Sequence, residues 1–145
     1  MSKAKHEPRS VHPREAWGEQ SPFMAMMGIK VEEMRDGRAR LVLPHRPEIE
    51  NRKGDAHGGV VATLLDVTMT HAVRAAVENI QGLATVSATF NYLAPARGTL
   101  TGLGKVMKIG GTIAVASADL VDESGAVVAH SVGNIRIIRH RKTAS

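Results

Sequence analysis

Asn51, His57, Gly58, Gly59 and Asp66 carry the residue types and spacing from which chemistry can be built. Gly58 and Gly59 stand at the mouth of an apolar run, where the first backbone N–H groups of a helix have no intrahelical acceptor. A helix start without side chains lets a ligand oxygen approach those donors, and the helix dipole adds partial positive charge there. Such donors suit an oxyanion, because fixed dipoles aimed at developing charge are the largest catalytic term in many enzymes. Asp66 supplies a carboxylate inside the same run. An acid among apolar neighbours is costly without a partner, so it needs a satisfying network or a chemical task. Asp66 follows Gly58 by eight positions, ~12 Å along a helix at 1.5 Å per residue. A reacting carbonyl must sit ~3 Å from both donor and attacking group, so one helix cannot supply both to one substrate. Two antiparallel copies can, with Gly58 of one facing Asp66 of the other. If the site is catalytic, a homodimer with two equivalent interface sites is expected.

The elements that must position these groups follow from pattern. Asn51 to Gly59 is polar and glycine-bearing and reads as a loop. Val60 to about Val77 has no proline or internal glycine, long enough for a helix of roughly 18–20 residues. It is apolar on nearly every side, which predicts burial all round. Pro22 to Met27 predicts a short helix ended by Gly28. Ile29 to Met34 and Arg38 to Leu43 predict two strands joined at Asp36-Gly37, a strong hairpin signal. Pro44 to Glu50 is a loop, and Glu78 to Leu83, with Asn79 and Gly82, is expected to close the long helix. Four strands are then expected, over Ala84–Leu93, Thr99–Met107, Thr112–Val121 and Ala126–Ile138. Turns this short predict antiparallel neighbours or near neighbours. The fold class is α+β: an antiparallel sheet that must curl around the long helix, since nothing else in the chain can cover it. Three segments are expected: a basic leader at 1–20, one domain over 21–139 and a basic tail at 140–145.

Composition bounds the rest. The 145 residues are 43% apolar and 3% aromatic, which suits one domain with a core of Val, Leu, Ile, Ala and Met. No cysteine is present, which excludes disulfides and Cys-ligated zinc. His6 and His12 in the leader have no further ligand at useful spacing, so no metal site is expected. The longest apolar run contains Asp66, His71 and Arg74, so no membrane span is expected, and no signal peptide is visible. A cytoplasmic protein is the expectation. The net charge of +5 belongs to the ends: residues 1–14 carry +3, residues 136–145 carry +4, and the body carries −2. Such tails favour solubility, and no nucleic-acid partner is expected.

Asn51, Gly54, His57-Gly58-Gly59 and Leu65-Asp66 together resemble the signature of hotdog-fold acyl-CoA thioesterases of the phenylacetate-degradation (PaaI) type. Asn91-Tyr92-Leu93-Ala94-Pro95-Ala96, Gly98-Thr99-Leu100, Gly111-Thr112, Asp119-Leu120-Val121-Asp122, Gly125 and Val128-Ala129 fit the same family, over roughly Phe23 to Ile138. The resemblance implies a hotdog fold, a dimer that often pairs into a tetramer, and hydrolysis of an acyl-CoA to acid and CoA with no cofactor. By matching position it makes Asp66 the catalytic carboxylate, as general base or nucleophile, and the Gly58 N–H the oxyanion donor. Asn51 matches a side chain that places water or substrate, and His57 the residue beside the oxyanion glycine, holding the loop or touching substrate. Thr70, one turn after Asp66, matches a hydroxyl that orients water in some relatives; alternatively it bonds back to the Asp66 carbonyl. Thr85 and Ser87 compete for a strand hydroxyl, with Thr85 preferred. Gly59, Ser87, Arg97 and Lys108 are the substrate-binding candidates. Lys105, Arg136 and Arg139 join Arg97 and Lys108 as bases for the CoA phosphates, while His71, Arg74 and His130 are expected to be structural or at the surface.

Two other readings stand beside hydrolysis. A hotdog dehydratase or hydratase needs an acid–base pair with a histidine in the pocket. A non-catalytic acyl-CoA-binding module would bind ligand without releasing thiol. The acyl group is not legible, since it depends on how Phe23, Met24, Met26, Met27 and Met69 pack.

Overall fold

The computed structural model describes residues 21–141. The expected leader, 1–20, lies outside the described residues, as do the last four residues of the expected tail.

Local chemistry sets the first elements. Ser21 caps helix α1 (Pro22–Met27) by accepting the Met24 N–H at 3.2 Å, and Gly28 ends it at φ 82°. Strands β1 (Lys30–Arg35) and β2 (Arg38–Leu43) form the expected hairpin. Asp36 and Gly37 both take positive φ in its turn, the backbone that matches the strands' twist. A 3-10 turn at Pro47–Ile49 leads through the glycine loop into helix α2 (Gly58–Arg74). Four strands follow: β3 (Ile80–Tyr92), β4 (Leu100–Ile109), β5 (Ile113–Val121) and β6 (Val127–Arg139). They form one six-stranded sheet in the order β1-β2-β4-β5-β6-β3, with every pair antiparallel.

The sheet curls around α2, which touches all six strands. The closest approach is over β4, where Gly102 and Gly104 face Thr68. A Cβ on Gly102 would lie 2.2 Å from the Thr68 hydroxyl oxygen, and one on Gly104 2.7 Å from the Thr68 carbonyl oxygen. Only glycine lets helix and strand meet at that distance. The core between them is aliphatic, with Leu41, Leu43, Leu64, Leu65, Met69, Leu100, Leu120 and Ile135 fully buried.

Four expectations are corrected. Helix α2 ends at Arg74 rather than Val77, and β3 begins at Ile80 rather than Ala84. Asn79 takes φ 54° and turns the chain, so Gly82 lies within β3, paired with Ile138, instead of closing the helix. The helix is not buried all round. Ala62, Thr63, Asp66, Val67 and Thr70 form a half-exposed stripe, because the sheet covers only part of its circumference. Finally, the short β3–β4 connection does not join neighbours, since β5 and β6 lie between them. The Leu93 and Ala94 N–H groups bond the Val128 carbonyl and lead the chain past β6, and the Ala96 carbonyl accepts the Ala56 N–H at 2.7 Å. This crossing lays Ala94–Pro95–Ala96 against the loop before α2.

Candidate active site

The start of α2 is built by its own cap. His57 sits at φ −58° and ψ 141°, and its Nδ1 accepts the Gly59 N–H at 2.9 Å. That bond needs the Nδ1 lone pair, so the neutral ring carries its proton on Nε2. The Val60 and Val61 N–H groups both reach the His57 carbonyl. Tyr92, from the end of β3, donates its hydroxyl to the Gly58 carbonyl at 3.2 Å. Among the described residues the Gly58 N–H has no acceptor. Of the two glycines, then, Gly58 has a donor left to give and Gly59 has spent its own. Gly59 contributes room instead, since a Cβ there would lie 3.1 Å from His57 Nδ1.

Asn51 organises the loop. Its side-chain oxygen accepts the Lys53 and Asp55 N–H groups at 2.8 and 3.2 Å, which leaves only its amide nitrogen to reach outward. Gly54 takes φ 82° to complete the turn. Asp55 is buried and bonded by Arg97 Nε, and that bond with the carboxylate charge holds the guanidinium above its usual pKa.

Asp66 is half-buried on the open stripe of α2 rather than sealed in the core. Thr85 of β3 donates its hydroxyl to Asp66 Oδ1 at 2.7 Å. Among the described residues Oδ2 accepts no hydrogen bond. Ser87 instead accepts from Asn134 Nδ2 of β6 at 3.0 Å. A β-bulge separates them: Thr85 pairs with Ile135 and Ser87 with the adjacent Asn134, leaving Val86 unpaired. The bulge breaks the strand's alternation, so residues two apart point to opposite faces. Thr70 donates to the Val67 carbonyl at 2.9 Å, not to that of Asp66. His71 is buried, with Nδ1–H donating to the Val67 carbonyl at 2.6 Å; burial pushes its pKa down and that bond opposes the shift. Arg74 is also buried, and burial lowers its pKa. His130 pairs with Asp119 across β5 and β6.

A cleft of about 670 Å³ opens beside the helix start. Its apolar wall is Ala56, Val61, Tyr92, Ala94, Pro95, Ala96 and Val128; Asn51, His57 and Gly58 also line it, with Arg52 and Lys53 on its polar side. Neither Asp66 nor Thr85 lines it, so one chain presents the donor and the acid in two separate places. None of the bases expected for a phosphate lines this cleft within one chain. Arg97 is tied to Asp55, Arg139 donates to the Gly111 carbonyl at 3.1 Å, and Lys105, Lys108 and Arg136 sit on the strands away from the cleft. Tyr92, Arg52 and Lys53, with the carboxylates Glu50 and Asp55, are polar cleft residues that sequence reasoning did not name as site candidates. Arg52 and Lys53 stand inside the loop motif, and Tyr92, the chain's one tyrosine, inside the Asn91–Ala96 motif, so position alone pointed to them.

Among the described residues no cluster of three or more His, Asp or Glu could hold a metal ion, and no helix is long and apolar enough to cross a membrane. The chemistry at hand is that of an oriented carboxylate with one free oxygen, and of one unspent N–H at a helix start.

Comparison with known proteins adds to this. The family profile of the thioesterase superfamily matches residues 53–129. A Halobacterium salinarum protein assigned as an esterase is 34% identical over 128 residues, covering 81% of this chain and 85% of its own length. The crystal structure of a thioesterase family protein from Silicibacter pomeroyi superposes with a TM-score of 0.81 at 26% identity, covering 88% of this chain and 96% of that one. The E. coli PaaI protein, from the phenylacetic acid degradation operon, gives 0.80 at 22% identity over 90% of this chain and 94% of its own, a likeness of fold.

Proposed function

The chain belongs to the thioesterase superfamily and is a thioester hydrolase with the hotdog fold; from that premise we propose that it cleaves acyl-CoA to free acid and CoA, at sites shared between two copies. The observation that carries the reading is the Thr85–Asp66 hydrogen bond at 2.7 Å on the same helix that begins with the unspent Gly58 N–H. Thr85 fixes one carboxylate oxygen and leaves the other for water. The Oδ2 of Asp66 takes a proton from water as the oxygen attacks the thioester carbonyl. The tetrahedral oxyanion forms against the Gly58 N–H of the other copy. The C–S bond then breaks, the thiolate leaves, and the proton held by Asp66 passes to sulfur.

Two features support the shared site. The acid and the donor are ~12 Å apart along one helix, too far to meet one carbonyl. Strand β3 is an edge of the sheet, 13 residues long, with an open row of N–H and C=O groups that a second β3 can pair. Such pairing is isologous, so it yields two equivalent sites. Arg52 and Lys53 would meet the CoA phosphates at the cleft.

The test is free-thiol release over a panel of aromatic, medium-chain and 3-hydroxyacyl-CoAs. Asp66→Ala is expected to lower turnover by about 10² or more with the oligomer intact. Near wild-type hydrolysis in that variant would reject the assignment. Formation of an enoyl product without thiol would instead make the protein a hydratase. After a single turnover in ¹⁸O-water, label in the Asp66 carboxyl shows direct attack followed by opening of the anhydride at the aspartyl carbon, whereas label in the product acid alone fits base catalysis or opening of the anhydride at the acyl carbon.

A further inference from the structure

The Gly58–Gly59 peptide unit is gripped at both ends. Its N–H, on Gly59, donates to His57 Nδ1 at 2.9 Å, and its carbonyl, on Gly58, accepts the Tyr92 hydroxyl at 3.2 Å. His57 is a local partner. Tyr92 comes from 34 residues away in the chain, on the last position of β3. Glycine places few steric limits on φ and ψ, so two adjacent glycines at a helix start leave this unit free to swing unless something holds it. Within α2 the Gly58 carbonyl already faces the N–H four residues on, as any helical carbonyl does. The Tyr92 bond is therefore not needed to satisfy a buried group, and Tyr92 itself is 56% exposed. What the bond does is fix a plane. The Gly58 N–H lies in the preceding peptide plane, whose carbonyl, on His57, accepts the Val60 and Val61 N–H groups. With the Gly58–Gly59 plane held as well, both planes that meet at the Gly58 Cα are fixed, and the N–H cannot drift by rotation about that residue's own φ and ψ.

We infer that Tyr92 is a positioning residue of the hydrolytic site: its hydroxyl holds the Gly58 carbonyl so that the neighbouring N–H stays aimed at the oxyanion. The inference rests on the reading of Gly58 as the oxyanion donor. The two parts of the side chain have separable effects. The hydroxyl acts through Gly58 on a transition-state contact, so its loss falls on kcat. The ring lines the cleft, so its loss falls also on KM.

Wild type, Tyr92→Phe, Tyr92→Leu and Asp66→Asn are assayed for thiol release on whichever acyl-CoA of the panel is cleaved fastest. Tyr92→Phe is expected to lower kcat about tenfold with KM within about twofold, the size of one lost hydrogen bond. Tyr92→Leu lowers kcat similarly and raises KM severalfold. Amide hydrogen exchange on the wild-type protein supplies a measurement that needs no variant to fold: the Gly59 amide is expected to exchange more slowly than that of Gly58. A kcat within twofold of wild type for Tyr92→Phe, alongside an inactive Asp66→Asn, overturns the positioning role and leaves the hydrolase reading standing. A Gly58 amide more protected than that of Gly59 overturns it too. A wild-type protein that releases no thiol from any acyl-CoA is a different result, which removes the hydrolase reading and this inference with it.

Discussion

Thr85 donates to the Asp66 carboxylate, and its role separates cleanly from that of Ser87. Thr85→Ala is expected to lower kcat about tenfold by freeing the Asp66 carboxylate to rotate, and Thr85→Ser to restore most of it. Ser87→Ala, which loses only the Asn134 contact, should stay within about twofold of wild type in the same assay. His71 carries a second expectation. Burial holds its folded pKa below the ordinary 6.5, so the folded protein disfavours the proton that the unfolded chain accepts. Its contribution to stability is therefore full above about pH 6.5 and falls as the pH drops below that, by at most ~1.4 kcal/mol per pH unit. Melting temperatures measured from pH 8 to pH 5 should decline below 6.5, and His71→Gln should flatten that decline. Equal slopes for the two proteins would remove His71 as its source.

At the scale of elements, α2 is held where the acid must be by a close packing rather than by a large side chain. Gly102 and Gly104 of β4 let Thr68 lie against the strand, and the buried Thr68 hydroxyl turns back to the Leu64 carbonyl at 2.6 Å. Gly104→Ala puts a methyl against a backbone oxygen that cannot move without the helix. Overpacking of this kind costs ~1–3 kcal/mol. A fall in melting temperature of several degrees is expected, with reduced turnover as α2 shifts relative to β3. An unchanged melting temperature would mean that the helix rides more loosely on β4. The element scale also explains the split between Thr85 and Ser87. An unbroken strand would turn both hydroxyls to the same face, and the bulge at Val86 sends one to the helix and the other to the outer face.

The whole molecule raises the question of which groups meet across copies. The cleft holds Asn51, His57 and Gly58 but not Asp66, so on the proposed reading a single chain is an incomplete site. Complementation tests this directly. Gly58→Pro removes the donor while suiting the first position of a helix, and the His57 backbone at φ −58° and ψ 141° is the conformation that a following proline requires. Gly58→Pro and Asp66→Ala are each expected to be inactive alone. Unfolded and refolded together in equal amounts, they should recover about a quarter of wild-type activity. Half of the dimers are then mixed, and each mixed dimer has one intact site of two. No recovery would place donor and acid within one chain's own site.

The order of elements, the hairpin at Asp36-Gly37, the opening of the long helix at Gly58-Gly59 and the candidacy of Asp66 were legible from sequence alone. Each depends on residues within a few positions of one another, where turn chemistry and apolar spacing act. The four expected strands after the helix came out with ends within two residues of the observed ones, except for the start of β3, where Asn79 turns the chain earlier than Gly82. Tertiary structure alone decided that Thr85 rather than Ser87 reaches the acid, that the Gly59 N–H is spent on His57 while that of Gly58 is not, and that Asn51 is turned into its own loop. It also brought Tyr92 to Gly58. These outcomes depend on strand register, a one-residue bulge and contacts between distant segments. Such features are fixed by how β3 pairs with β6 and packs against α2, and no local pattern in the chain encodes them.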